Sequence, residues 1–149
     1  MTTPTNPGDS LSRRRKLLYI LMLGALTALG PFTVDLYLPA FPALEESLSV
    51  SEAAVQLTLT GTTIGFAVGQ LVVGPLSDKF GRRMPLILAT AVHIMASLGA
   101  ALSTDITTLG FFRVLMGVGA AGGGVVAMAM VRDLFSGFAM VRMFSRMAL

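Results

Sequence analysis

The sequence predicts an all-α membrane protein with four transmembrane helices and the start of a fifth, and three observations lead there. Hydrophobic residues make up 54% of the 149 positions and charged residues only 13%, where a soluble domain carries about 25% charged residues; mean hydropathy is +0.76. Four apolar stretches come near or exceed the roughly 20 residues that cross about 30 Å of hydrocarbon. The basic residues gather at the ends of these stretches rather than along one polar face, which speaks for membrane topology and against nucleic acid as a partner. Lipid gives backbone groups no hydrogen-bonding partner, so such stretches must be helical, and the alternation of a barrel strand is absent.

Residues 1–16 are polar and breaker-rich at first (Met1-Thr2-Thr3-Pro4-Thr5-Asn6-Pro7-Gly8), then basic (Arg13 to Lys16), and are expected to form a disordered tail. Residues 17–149 form the bundle, with helices expected over about 17–41, 53–76, 84–103 and 107–131 and a fifth starting near 140. The stretch Leu17 to Leu44 holds one charge, Asp35; Ala53 to Ser77 holds none; Met84 to Thr104 holds only His93; Ile106 to Val131 holds only Arg113. Basic residues before Leu17 to Leu29, with Ser12-Arg13-Arg14 resembling a twin-arginine signal, suggest a cleavable leader. The apolar run continues well past the 7 to 15 or so residues of a signal core, so a retained span is the better reading.

Orientation follows from Lys and Arg. Every one of the eleven except Arg113 falls in the first tail, the segment after the second stretch, or the segment after the fourth, while the opposite connections carry Glu45, Glu46, Glu52 and Asp105. A cytoplasmic N-terminus and a multi-pass protein are expected. No cysteine is present, so neither a disulfide framework nor a thiolate metal site exists. No nucleophile with its base and no metal-ligand cluster is visible, so no enzyme, cofactor or metal is expected.

Several small patterns bear on packing. Gly61, Gly65 and Gly69 recur every four residues and put small side chains on one helix face, where a neighbouring helix can approach closely. Gly117-Val118-Gly119-Ala120-Ala121-Gly122 fits a dinucleotide-binding pattern, but such a turn needs a strand and open water, and an acid about 20 residues on, and none of these is here. Gly122, Gly123 and Gly124 fit close helix contact or bending. His93 has no second histidine or cysteine with which to share a metal and reads as a hydrogen-bonded or cavity-facing structural residue. Gln56, Thr58, Thr60, Thr62, Thr63 and Gln70 read as helix contacts, and the ten methionines as ordinary membrane packing.

An ionised group inside a span costs about 2.5 to 3.5 kcal/mol on insertion scales, so Asp35 and Arg113 should face a partner or a wet cavity. Asp35 comes late in an outward helix and Arg113 early in an inward one, so both lie in the outer half of the bilayer and are expected to be neighbours. One reading is a static salt bridge that packs two helices. The other is proton coupling: desolvation brings a carboxylate toward the working pH range and a nearby arginine opposes it, so Asp35 would bind the proton and Arg113 tune it. Phe32 and Tyr37 are candidate cavity-lining residues beside them.

Between the second and third stretches lies Gly74-Pro75-Leu76-Ser77-Asp78-Lys79-Phe80-Gly81-Arg82-Arg83, expected as a short cytoplasmic loop in which Gly81 makes a tight turn, Pro85 suits the next helix start, and Arg82 and Arg83 reach the headgroups. Its order resembles the loop signature of the major facilitator superfamily of secondary transporters. Arg113-Val114-Leu115-Met116-Gly117-Val118-Gly119 is similar to the fourth-helix signature of that superfamily's proton-coupled antiporters, including Gly117 and Gly119, with Met116 where glutamine is frequent. Leu29-Gly30-Pro31-Phe32-Thr33-Val34-Asp35-Leu36-Tyr37-Leu38-Pro39-Ala40 and Arg132-Asp133-Leu134-Phe135 resemble the bicyclomycin and chloramphenicol resistance (Bcr/CflA) type of drug:proton antiporter.

The resemblance implies the N-terminal six-helix half of a twelve-helix fold, covered here in part. It also implies alternating-access, proton-coupled efflux of a lipophilic small molecule from the bacterial inner membrane. Its implied partners are protons, substrate, membrane lipid and a second half that completes the cavity. It further implies a conformational latch of Gly74, Asp78, Lys79, Gly81, Arg82 and Arg83, with Asp133 reached from the fourth helix. Two alternatives stay open: a proton-coupled carrier of metabolites or sugars on the same scaffold, and a small membrane assembly protein.

Overall fold

A computed structural model describes residues 12–134 together with Val141 and Ser145. The described elements are α1 (Arg13–Asp35), a 3-10 turn over Leu38–Ala40, α2 (Phe41–Leu48), α3 (Glu52–Phe80), α4 (Arg83–Ala101) and α5 (Ile106–Leu134). Four segments are long and apolar enough to cross a membrane: Arg13–Leu48, α3, α4 and α5. The start of a fifth helix near residue 140 and the tail up to residue 11 fall outside the described residues, apart from Val141 and Ser145.

Boundaries differ from the sequence reading for physical reasons. Helix α1 begins at Arg13, not 17, because Ser12 accepts a hydrogen bond from the Arg15 amide at 3.4 Å and caps the helix while arginines and lysine continue it outside the hydrocarbon. The first span is not one rod to residue 41. It breaks after Asp35, where Pro39 and Pro42 lack the N–H that a continuous helix would need; each sits instead in the first turn of a new segment. Helix α2 closes at Ser49, which adopts the left-handed φ of 52°.

Helix α3 also outlasts its apolar stretch, running to Phe80 rather than 76, so Gly74 to Lys79 are helical and not loop. The turn is only Gly81 and Arg82, and Gly81 makes it with φ +80°, a value glycine adopts without strain. A helix need not stop where hydrocarbon does, since its backbone bonds are internal whether the side chains are apolar or charged. Helix α5 likewise extends to Leu134 and carries Arg132 and Asp133 on its last turn. Its start is capped by Asp105, which accepts from the Thr108 amide at 2.8 Å.

Helix α5 is the axis on which α1, α3 and α4 pack. In lipid there is little hydrophobic drive between helices, so close backbone approach must supply dispersion contact. Glycine permits it on three sides. A Cβ added at Gly65 or Gly69 of α3 would collide with the carbonyls of Val114 and Val118, and one at Gly117 with the carbonyl of Thr62. Gly119 and Gly122 press on His93 and Ala89 of α4, and Gly123 on the Leu26 carbonyl of α1. The stripe Gly61, Gly65, Gly69 therefore packs within this bundle, against α5. Below it, Leu23, Ala127 and Val131 form a fully enclosed cluster between α1 and α5.

Gly65→Ala is expected to destabilise the bundle by about 1 to 3 kcal/mol through overpacking. Gly124→Ala, whose Cβ meets nothing within 4 Å, should leave stability unchanged or raise it by up to about 1 kcal/mol. Thermal unfolding of the two variants in detergent reads the difference.

Candidate functional site

Arg113 is only 4% exposed, and its partners explain how the bundle tolerates it. Its Nη2 donates to the Thr33 carbonyl at 3.3 Å, and its guanidinium carbon lies 3.6 Å from the Tyr37 ring centroid, a cation–π contact that gains strength when desolvated. Its Nε, fully buried, has no hydrogen-bond partner among the described residues. The Tyr37 ring is itself fixed. Thr58 gives its one hydroxyl proton to the Val55 carbonyl at 2.7 Å, so the Tyr37 hydroxyl donates to Thr58 Oγ1, also at 2.7 Å. Phe41 packs against the ring at 5.2 Å between centroids.

The expected Asp35–Arg113 pairing is not what the structure holds. Among the described residues both ion pairs belong to Arg82, and Asp35 is exposed. Arg113 instead grips the end of the first helix at Thr33 and Tyr37, two residues before and two after Asp35. At about 3.6 residues per turn a step of two leads to the far side of a helix, so the grip on Tyr37 leaves Asp35 on another flank. There it lines a cavity with Gly30, Val34, Thr62, Phe66 and Gly117 and a second with Gly24, Thr27, Phe32 and Leu36.

Arg113 lines a different cavity, of about 320 Å³, with Phe32, Thr33, Tyr37, His93 and Met116. The His93 Nδ1 lies 2.9 Å from the Met116 carbonyl, and because a carbonyl only accepts, Nδ1 carries the proton. Gly117 and Gly119 do not face this cavity; they seat α5 against α3 and α4.

At the other end of the bundle, Arg82 closes a charge cluster across the α3–α4 turn. It meets Asp78 at 2.5 Å, Asp133 through Nε at 2.9 Å and Nη2 at 3.3 Å, and Ser77 Oγ at 2.8 Å. The bonds to Asp133 and then to Asp78 push its pKa above its already high value, so it stays charged. Gly74 lines the adjacent cleft with Asp78, Arg82 and Asp133. Lys79 turns away and lies over the Phe80 ring at 5.2 Å, and Arg83 is exposed at the first position of α4; neither joins the cluster. Among the described residues no three of His, Cys, Asp and Glu gather where a metal would bind.

The roles of Thr33 and Ser77 escaped sequence reading, while Thr58, read there as a helix contact, makes one to Tyr37. Thr33 acts through a backbone carbonyl, which side-chain identity does not reveal, and Thr58 meets Tyr37 only because α3 returns beside the broken end of α1.

Four helices long and apolar enough to cross a membrane, packed around one buried arginine, are those of a multi-pass membrane protein. A family model described as Major Facilitator Superfamily matches residues 21–149, and the chain belongs to that superfamily. It is 44% identical to an uncharacterised MFS-type transporter, YdgK, of Bacillus subtilis, over 89% of this chain and 33% of that protein. It is 42% identical to a bicyclomycin resistance protein homolog of Haemophilus influenzae, over 83% and 31%, and 36% identical to a chloramphenicol resistance protein of Pseudomonas aeruginosa, over 79% and 28%. The chain thus spans about a third of the length of these curated relatives. No solved structure matches it.

Exposure limits what the Arg82 cluster adds to stability, since Asp78 and Asp133 side chains are 71% and 52% exposed and such pairs contribute about 1 kcal/mol or less. A double-mutant cycle of Arg82→Gln and Asp133→Asn, read by thermal unfolding, should return a coupling in that range that shrinks as salt is raised.

Proposed function

We propose that the chain supplies the first spans of a proton-coupled efflux antiporter for lipophilic drugs in a bacterial inner membrane, with its N-terminus in the cytoplasm. Membership of the superfamily and the names of two relatives support the substrate class. The observation that carries the proton-coupled part is Asp35: a carboxylate at the break in the first span, without an ion pair among the described residues, bordering two cavities.

In this reading Asp35 takes a proton from outside as substrate leaves, and gives it up to the cytoplasm before substrate binds again. Arg113 couples to it through the backbone. It holds α1 on either side of Asp35, so a change of charge there that shifts the helix end also shifts the Arg113 cavity. The Asp78–Arg82–Asp133 cluster ties the α3–α4 turn to the end of α5 and would latch the outward-open state, with Gly81 supplying the turn, Gly74 the small surface beside it, and Lys79 and Arg83 the anchoring charge at the headgroups. A second half of the transporter would complete the substrate path, since facilitator sites form between repeats.

In proteoliposomes holding the full protein, Asp35→Asn should abolish uphill efflux driven by a pH gradient; normal gradient-driven efflux would remove Asp35 from the mechanism. Asp78→Asn should slow transport at least several-fold while equilibrium substrate binding is retained, and loss of binding would contradict a latch.

A further inference from the structure

We infer that the apolar groove between α3 and α4 seats one acyl chain of a phospholipid from the leaflet around the α3–α4 turn, and that Lys79 and Arg83 at its mouth select an anionic headgroup such as phosphatidylglycerol. The site belongs to the membrane-spanning helices themselves, sharpens the headgroup role given above to Lys79 and Arg83, and stands whatever the protein carries.

The groove follows from how the glycines are placed. Gly69 brings α3 onto Val118 and Ala121 of α5, and Gly119 and Gly122 bring α4 onto the same helix at His93 and Ala89. Helices α3 and α4 thus pack far more closely on α5 than on each other. A space of about 450 Å³ is left between them, lined by Val73 and Phe80 of α3, by Met84, Leu88 and Val92 of α4, and by Val118 of α5. Every side chain that lines it is apolar, and Phe80, Met84 and Leu88 are each more than half exposed.

Length points to a lipid chain rather than another helix. From Met84 to Val92 the groove runs about 12 Å along α4 at 1.5 Å per residue, and one leaflet's hydrocarbon is about 15 Å deep, half of the whole. The groove therefore begins at the charged turn and ends short of the bilayer midplane. A helix that crosses both leaflets would find a seat over less than half its length.

The mouth of the groove is basic. Lys79 Nζ lies 5.2 Å from the centroid of the Phe80 ring, which lines the groove, and Arg83 is the exposed first residue of α4, next to Met84. The acids at this end are already engaged: Asp78 and Asp133 both pair with Arg82, and among the described residues neither Lys79 nor Arg83 has an ion pair. Basic pockets between helices at a membrane surface attract anionic headgroups. A chain that leaves other tails for the groove gains little on hydrophobic grounds, so the groove fixes where the lipid sits and the two cations decide which lipid it is.

Native mass spectrometry of the full protein, titrated in detergent with dioleoylphosphatidylglycerol or dioleoylphosphatidylcholine, resolves the first lipid bound. At low salt the unsubstituted protein should bind phosphatidylglycerol about tenfold or more tightly than phosphatidylcholine. Lys79→Gln and Arg83→Gln should each weaken phosphatidylglycerol binding about fivefold, the share of one basic side chain, and leave phosphatidylcholine within about twofold. Arg14→Gln, which removes an exposed cation at the start of α1, should leave both lipids within about twofold. Val92→Phe narrows the inner end of the groove without touching charge, and should weaken both lipids by similar factors. Val92 is 39% exposed and Lys79 and Arg83 are exposed, so none of these changes strains the core.

Glycerol phosphate, a headgroup without a chain, should not compete with phosphatidylglycerol for the unsubstituted protein. Competition by it would mean an ion site with no chain seat. The assignment is also overturned by equal affinity for the two lipids, by an Arg14→Gln loss as large as that of Lys79→Gln, or by Val92→Phe leaving both lipids unmoved, as when a helix from the rest of the protein covers the groove. Selective lipid binding in a protein that moves no drug would instead count against the efflux reading and spare this one.

Discussion

Close backbone approach along α5 is the constraint on which the rest of the structure depends. In lipid a leucine gains little by leaving tails for another helix, so the bundle is held by contacts that only glycine allows. Gly117 lets α3 in, Gly119 and Gly122 let α4 in, and Gly123 lets α1 in. These are successive turns of one helix facing three neighbours. Widen any of them and Arg113, about two and a half turns from Gly122 and fewer from Gly119, would no longer meet both Thr33 and the Tyr37 ring.

The buried arginine shows how a charge can be kept in a span with no counter-charge beside it among the described residues. Arg113 uses a carbonyl and an aromatic face, the first supplied by the end of α1 and the second by the break that Pro39 and Pro42 force just beyond it. Leu36 and Tyr37 keep right-handed helical backbone, and Tyr37 is held there against Thr58 and Phe41. The break therefore does more than end a helix: it builds one wall of the cavity, while Asp35, on another flank, has no ion pair among the described residues.

The two ends of the bundle answer to different physics. Around Arg113 water is largely excluded, so one hydrogen bond and one ring contact weigh heavily and an unmet donor is informative. Around Arg82 the partners are mostly exposed, so the cluster adds little to stability and its value lies in position: it connects the short turn after α3 to the last turn of α5. Such a weak, geometrically specific contact is suited to being made and broken.

Four spans, their approximate limits and the charges inside them were legible in the sequence, because hydrocarbon thickness imposes a length and lipid forbids unpaired backbone. The meeting of Asp78, Arg82 and Asp133 was implied by the family resemblance of the loop signature, and two helices ending on one side make it geometrically possible. The helical state of Gly74 to Lys79 was not legible, since apolarity marks where lipid ends and not where a helix does. Nor was the separation of Asp35 from Arg113: equal depth is set by counting residues, whereas azimuth depends on how α1 rotates as it settles onto the glycines of α5. Sequence alone thus determined where each charge lies along its helix, and only the tertiary structure decided which side of that helix it faces, because helix rotation is fixed by packing and by nothing local to the chain.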